Sequence, residues 1–292
     1  MDLPRRLEDY PEAVQLLLID LYQRAVSRLT EVVERHGLNP GLCLALARER
    51  IALLAEATEP VVTAMAAAAT PVACARGCGW CCTLTIQASP DEVFALISHL
   101  AESLAPEDLA ALQARALAAD ARGHGHAPSA RHSLRIFCPV LDPASHDCLG
   151  HVARPGGCQG YLSLDLAQCR ADHALPSQPI AQPVAAALLR DTVAAARDTV
   201  LERAGARLQS LELTAALVAA WADPDAETRW LGGSPVLETA TSIDNPLGTT
   251  ARVPPDEARR TPLASSGSTD FKTLGGAMHR ARRRSSWPPA GS

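Results

Sequence analysis

Cys74-Ala75-Arg76-Gly77-Cys78-Gly79-Trp80-Cys81-Cys82 interrupts a chain that otherwise reads as helix. Four cysteines and two glycines in nine residues leave no apolar period for a helix to use. Cys78-x2-Cys81 is a chelating unit, because two intervening residues let the chain curl until both sulfurs face one ion. Neighbouring Cys81 and Cys82 cannot both project the same way. One of them must face a second metal, another iron of a cluster, or the protein interior.

Upstream of this run the sequence predicts a helical hairpin over residues 1–70. Asp9-x-x-Glu12 around Pro11 is a capping-box start. Val14, Leu18, Leu21, Ala25, Leu29 and Val32 then form one apolar stripe that Gly37 ends. Asn39-Pro40 opens a second helix with Leu44, Ala47, Ile51 and Leu54, which Pro60 is expected to kink or break. A further short helix is expected from Pro60 into Ala66–Ala69. Cys43, alone on an apolar stretch, reads as a small buried hydrophobe.

Downstream, Leu84-Thr85-Ile86-Gln87 reads as a short extended piece. Ser89-Pro90-Asp91-Glu92 is a second capping box, with Val93, Leu96, Ile97 and Leu100 as the buried face. Pro106 opens a helix to about Arg122. A loop follows with His124 and His126. From Cys138 to Cys169 there is neither alternation nor a helical stripe, which is unusual inside a compact domain unless thiolate–metal bonds organise it. Helix resumes from about Gln182 to Ala222, with Val184, Leu188, Val193 and Leu201 expected inward. Gly232 to Ser292 is Gly-, Pro-, Ser- and Arg-rich and is expected to be a disordered tail, with a basic cluster at Arg280–Arg284.

Composition agrees with a mainly α fold. Of the 292 residues 47% are hydrophobic but only 3% aromatic, so Ala, Leu and Val must build the core, which favours helices over sheets. The net charge of −5 excludes a general nucleic-acid binder with a basic face. No run of ~18 apolar residues suggests a membrane span. The start, Met1-Asp2-Leu3-Pro4-Arg5-Arg6, lacks a signal's apolar core, so the expected compartment is the cytoplasm. The expected organisation is a hairpin over 1–70, a cysteine-cluster module over 71–175, C-terminal helices over 176–231 packing on the same domain, and a tail over 232–292.

Eight of the nine cysteines lie in the module: Cys74, Cys78, Cys81 and Cys82, then Cys138, Cys148, Cys158 and Cys169. A disulfide framework is disfavoured in a chain without a signal peptide. Four thiolates suit either tetrahedral zinc or an iron–sulfur cluster. Only one CxxC is present, whereas zinc knuckles usually come in CxxC pairs, so the iron–sulfur reading is preferred. Cys74-x3-Cys78-x2-Cys81 also has the spacing of radical-SAM enzymes, but the alternating β–α units of their barrel do not follow it.

In this layout residues 74 to about 173 resemble the YkgJ-type cysteine-cluster proteins, whose domain is described as zinc- or iron-chelating. The first block corresponds to Cys74, Cys78, Cys81 and Cys82, with acidic Glu92 in the following helix. The later block corresponds to Cys138-Pro139-Val140-Leu141, Cys148, Arg154-Pro155-Gly156-Gly157-Cys158, Tyr161 and Cys169. The chain departs from that pattern at Gly150-His151, where the family has Ile-Tyr, and at Gln159, where it has Arg. The resemblance implies a metal ion or cluster as partner and a redox, electron-transfer or metal-handling role. Two other functions are compatible with it: protein modification resembling flagellin lysine methylation, and a structural zinc module that binds a protein partner through its helices. No nucleophile elbow, P-loop or dinucleotide fingerprint is present, and no general base stands out. Arg154 is a candidate to offset thiolate charge, and Trp80 to shield a cluster or simply to pack. His146 and His151 read as polar loop side chains.

Overall fold

The computed structural model describes residues 7–174 and 180–240. Ten α-helices and one two-stranded sheet are found among the described residues, so the chain is mainly α as its composition implies. Residues 18–240 belong to one compact unit; described residues 7–17 are assigned outside it. Those carry a 3-10 turn, Leu7–Asp9, and the start of α1, where Gln15 donates to the Tyr10 carbonyl at 2.7 Å.

Helix α1 (Glu12–His36) ends at Gly37, whose φ of 63° is left-handed. Leu18, Leu21, Ala25, Leu29 and Val32 are buried, as the stripe requires. Helix α2 (Leu42–Ala67) begins after Gly41 and runs without a break through Pro60, against expectation. Glu56, whose carbonyl loses its helical partner to Pro60, lies on the exposed face of the helix with Glu59 and Pro60, where water can serve it. Arg28 pairs with Glu49 and Glu56 across α1 and α2. Cys43 is fully buried.

Ser89 caps α3 (Pro90–Ser103) through a capping box that Glu92 completes by accepting the Ser89 N–H at 3.1 Å. Leu104 and Ala105 link it to α4 (Pro106–Gly123), and α5 (Pro128–Ser133) adds a short turn of helix that the sequence did not announce. Of the expected extended piece, Leu84 to Gln87, only Gln87 lies in a strand, β1 (Gln87–Ala88), which is antiparallel to β2 (Leu211–Glu212). The Cys138–Cys169 region holds a bridge between Leu141 and Cys148, a single helical turn α6 (Gly156–Gln159) and the start of α7 (Leu166–Ala174).

The helical stretch expected from about Gln182 to Ala222 consists of two helices, α8 (Val184–Arg203) and α9 (Leu213–Trp221). Gly205, at a φ of 84°, ends the first, and β2 precedes the second. Val184 is exposed, and the inward face of α8 is Ala186, Leu189, Val193, Ala196, Val200 and Leu201, so Val193 and Leu201 point inward as expected. Helix α10 (Ala226–Leu231) buries Trp230 completely, with its indole N–H on the Arg207 carbonyl at 2.8 Å. Residues 232–240, expected in the tail, belong to the fold instead, because Val236, Leu237 and Ala240 are buried. The rest of that stretch, including Arg280–Arg284, lies outside the described residues.

The core forms where α2 packs on α3 and α8, and where α9 packs on α3 and α4. No helix among the described residues is long and apolar enough to cross a membrane. At Gly150 a Cβ would lie 2.2 Å from Leu96 Cδ1 and 3.1 Å from Val140 Cγ1. Leu96, itself 1% exposed, fills the space that a side chain at this position would take. Gly150→Ala is expected to cost about 1–3 kcal/mol by overpacking. Thermal unfolding of Gly150→Ala, Leu96→Ala and the double variant measures this, and the Gly150 penalty should shrink once Leu96 is truncated.

Candidate metal centre

Three stretches bring the eight module cysteines into one region. Cys74 and Cys78 lie on the loop before the 3-10 turn Trp80–Thr83, which itself carries Cys81 and Cys82. The Cys138 N–H donates to the Cys82 carbonyl at 2.7 Å, joining two loops separated by fifty-five residues. Arg76 and Asp147 pair across the same two loops at 2.7 Å. The third stretch arrives through Ser163. Its N–H donates to Cys74 Sγ at 3.2 Å, and its side chain is hydrogen-bonded to the Cys169 thiol. Helix α7, which carries Cys169, packs on the turn that carries Cys81 and Cys82.

Electrostatics sort the thiols into two neighbourhoods. Burial raises Cys74, and Cys81, Cys78 and Cys169 raise it further. Burial likewise raises Cys169, with Cys78 and Cys81 again contributing. On the other side, burial pushes Cys138 up to about 12, with Cys148 adding to the shift. Cys158 is raised well above an ordinary thiol by burial and then by Cys138, Cys148 and Cys81. Cys82 donates to the neighbouring Cys81 sulfur, which brings Cys81 down to about 7 against its burial. The same bond, burial and the thiolates of Cys81, Cys138 and Cys158 push Cys82 up. Cys81 thus stands where the two neighbourhoods meet. The Arg154 guanidinium lowers Cys81, Cys148 and Cys158, as its sequence position suggested.

Beneath the Cys158 loop lies a cluster of buried charges that sequence reasoning missed. Arg50 of α2, Asp91 and Glu92 of α3 and Arg197 of α8 are each at most 8% exposed. Arg197 Nη1 is 3.0 Å from Glu92 Oε1 and 3.9 Å from Asp91 Oδ2, and Arg50 Nη2 is 3.7 Å from Glu92 Oε1. Two cations thus balance two anions in a buried setting. Removing one member of such a group costs about 3–5 kcal/mol, because its partner is left charged and buried. The available signal was the apolar rhythm Cys43, Ala47, Arg50, Leu54, which places an arginine on a buried face.

Other residues sort plainly. Trp80 meets His173 in a tilted ring contact with centroids 5.0 Å apart, and Phe137 meets the same imidazole at 5.5 Å. His132 is held between Thr83 Oγ1 at 3.4 Å and Asp172 Oδ2 at 2.9 Å, tying α5 to the Cys82 turn and to α7. Nothing in the sequence marks that histidine. His124, His126, His146 and His151 are exposed. Cys43 is hydrogen-bonded to Glu227 of α10, away from the other eight.

All nine cysteines are free. Eight soft thiol donors match zinc or an iron–sulfur cluster in kind and number. As they stand, no three His, Cys, Asp or Glu side chains among the described residues form a group that could hold a metal ion. Closing a shell therefore requires the loops to draw together as the thiols lose their protons. No protein-family model, curated protein or solved structure matches the chain.

The charge cluster has a pH signature. Burial would raise Glu92, but Arg197 and Arg50, with the N–H groups of Gly156 and Ser89, hold it down to about 2. Its ionised form therefore contributes stability that is complete above the ordinary 4.5 and fades as pH falls toward 2. Burial raises Asp91, which opposes this trend. Melting temperature measured from pH 5 to about 2 should fall less steeply in Glu92→Gln than in the parent chain.

Proposed function

We propose that this chain is a metal-binding protein of the cysteine-cluster kind, with an iron–sulfur centre preferred over zinc. The observation that supports it is the convergence of eight free thiols from three stretches, held by the Cys138–Cys82 backbone bond and by Ser163 between Cys74 and Cys169. Its likeness to the YkgJ-type proteins rests on the same residues. Cys74, Cys78, Cys81 and Cys169 would serve one centre, and Cys82, Cys138, Cys148 and Cys158 the other. A bound cluster would supply one-electron chemistry.

The chain's own residues do the rest. Arg154 offsets the negative charge that develops as Cys81, Cys148 and Cys158 ionise. Trp80, Phe137 and His173 cluster in tilted contacts beside the Cys81–Cys82 turn and limit water there. Ser163 orients two sulfurs from opposite ends of the module. Vicinal Cys81 and Cys82 serve different neighbourhoods, which fits a clustered arrangement better than paired zinc knuckles. Eight free thiols also call for a reducing compartment such as the cytosol.

Metal analysis with an absorption spectrum, on protein purified without oxygen, tests the reading. Iron and sulfide with a broad band near ~400 nm are expected. Zinc with a featureless visible spectrum would make the site structural, and absence of both metals would overturn the proposal. Replacing Cys78 and Cys81 together by Ser is expected to abolish the centre they share with Cys74 and Cys169 and to leave the second centre loaded. Replacing Cys138 and Cys148 should likewise remove about half of the metal, on the assignment of two four-thiolate centres.

A further inference from the structure

Cys158 sits on α6, a single turn too short to hold itself in place. Its surroundings show what holds it. Arg50 Nη2 donates to the Arg154 carbonyl at 2.7 Å, just before the turn. Arg50 Nη1 donates to Gln159 Oε1 at 3.1 Å, at its end. Glu92 Oε1 accepts the Gly156 N–H at 2.8 Å, at its beginning. Gln159 in addition donates to the Ile51 carbonyl at 3.3 Å, on the helix that carries Arg50. A Cβ at Gly156 would lie 3.1 Å from Arg50 Nη1 and 3.3 Å from Glu92 Oε1, so the bare backbone is what lets both groups approach. Arg197 and Asp91 complete the charge balance from behind.

We infer that Arg50 and Glu92 are positioning residues that latch the Cys158 turn, holding this thiol toward the other cysteines and coupling the centre to helices α2, α3 and α8. The guanidinium is suited to this because its planar fork serves two acceptors and an anion at once. A lysine keeps the charge but has no fork. The inference rests on the reading of Cys158 as a metal ligand. It assigns a task to the buried charges that packing alone does not require.

The test is a brief pulse of iodoacetamide on the full chain, metal-free and reduced, with modification followed at each cysteine by mass spectrometry. In Arg50→Lys the rate at Cys158 should rise at least about tenfold, while Cys43, buried on the same helix as Arg50, stays protected. A parallel rise at Cys43 and Cys158 would show general loosening and overturn the latch, as would an unchanged rate at Cys158. Gln159→Ala keeps every buried charge and removes one arm, so a rise of about threefold confined to Cys158 is expected. If Arg50→Lys does not fold, that variant decides, on the same two readings. Loading the parent chain with zinc, or with iron and sulfide, should separately protect Cys158. Failure of that protection would overturn the ligand reading and leave the latch measured in metal-free protein intact.

Discussion

Glu92 is a carboxylate taken out of water, and a buried ion costs several kcal/mol unless charges and hydrogen bonds meet it. Arg197 at 3.0 Å, Arg50 at 3.7 Å and the N–H groups of Ser89 and Gly156 do so. Each of these partners comes from a different part of the chain. Satisfying one carboxylate therefore fixes the start of α3, the approach of α2 and α8, and the backbone before Cys158. A helix cap becomes a tertiary junction here, since the residue that closes the capping box also carries the central charge.

The thiol region inherits its order from that junction. Its loops have few apolar side chains of their own and lean on the helices through backbone bonds, through Leu96 filling the space at Gly150, and through Arg50 gripping both ends of one turn. Burial and mutual repulsion keep most of these sulfurs protonated, with Cys81 the exception because Cys82 donates to it. Uptake of metal would release protons from sites that resist losing them. Arg154, already directed at three of the sulfurs, lowers that resistance.

The helical frame was largely legible because it depends on periodicity and caps. The α1 stripe, the capping box at Ser89 and the opening of α4 at Pro106 are local features, and local physics decides them. Pro60 was misjudged because a proline's cost falls when the orphaned carbonyl faces solvent. The break between α8 and α9 and the burial of Val236, Leu237 and Ala240 were missed because pairing with β1 and packing of residues 238–240 on α9 are tertiary effects. At the site, the thiols announced themselves by residue type alone. Arg50, Arg197 and the His132–Asp172 pair did not, since a buried charge is distinguished from a surface one only by partners distant in sequence. Gln159 shows the same limit: an arginine there would face the Arg50 guanidinium, whereas the amide accepts from it.

The position of Arg197 carries a consequence for synthesis. It follows every one of the nine cysteines in the chain. The stretch from Cys82 to Arg197 spans 115 residues, roughly 6–23 s of translation at ~5–20 residues per second. Throughout that interval Glu92 and Asp91 lack their strongest counter-charge, and the thiol loops have no finished floor to rest on. The nascent chain therefore carries four module sulfurs from Cys82 onward, and all eight from Cys169 onward, before α8 is complete, and metal delivered earlier would meet loose loops instead of a formed site.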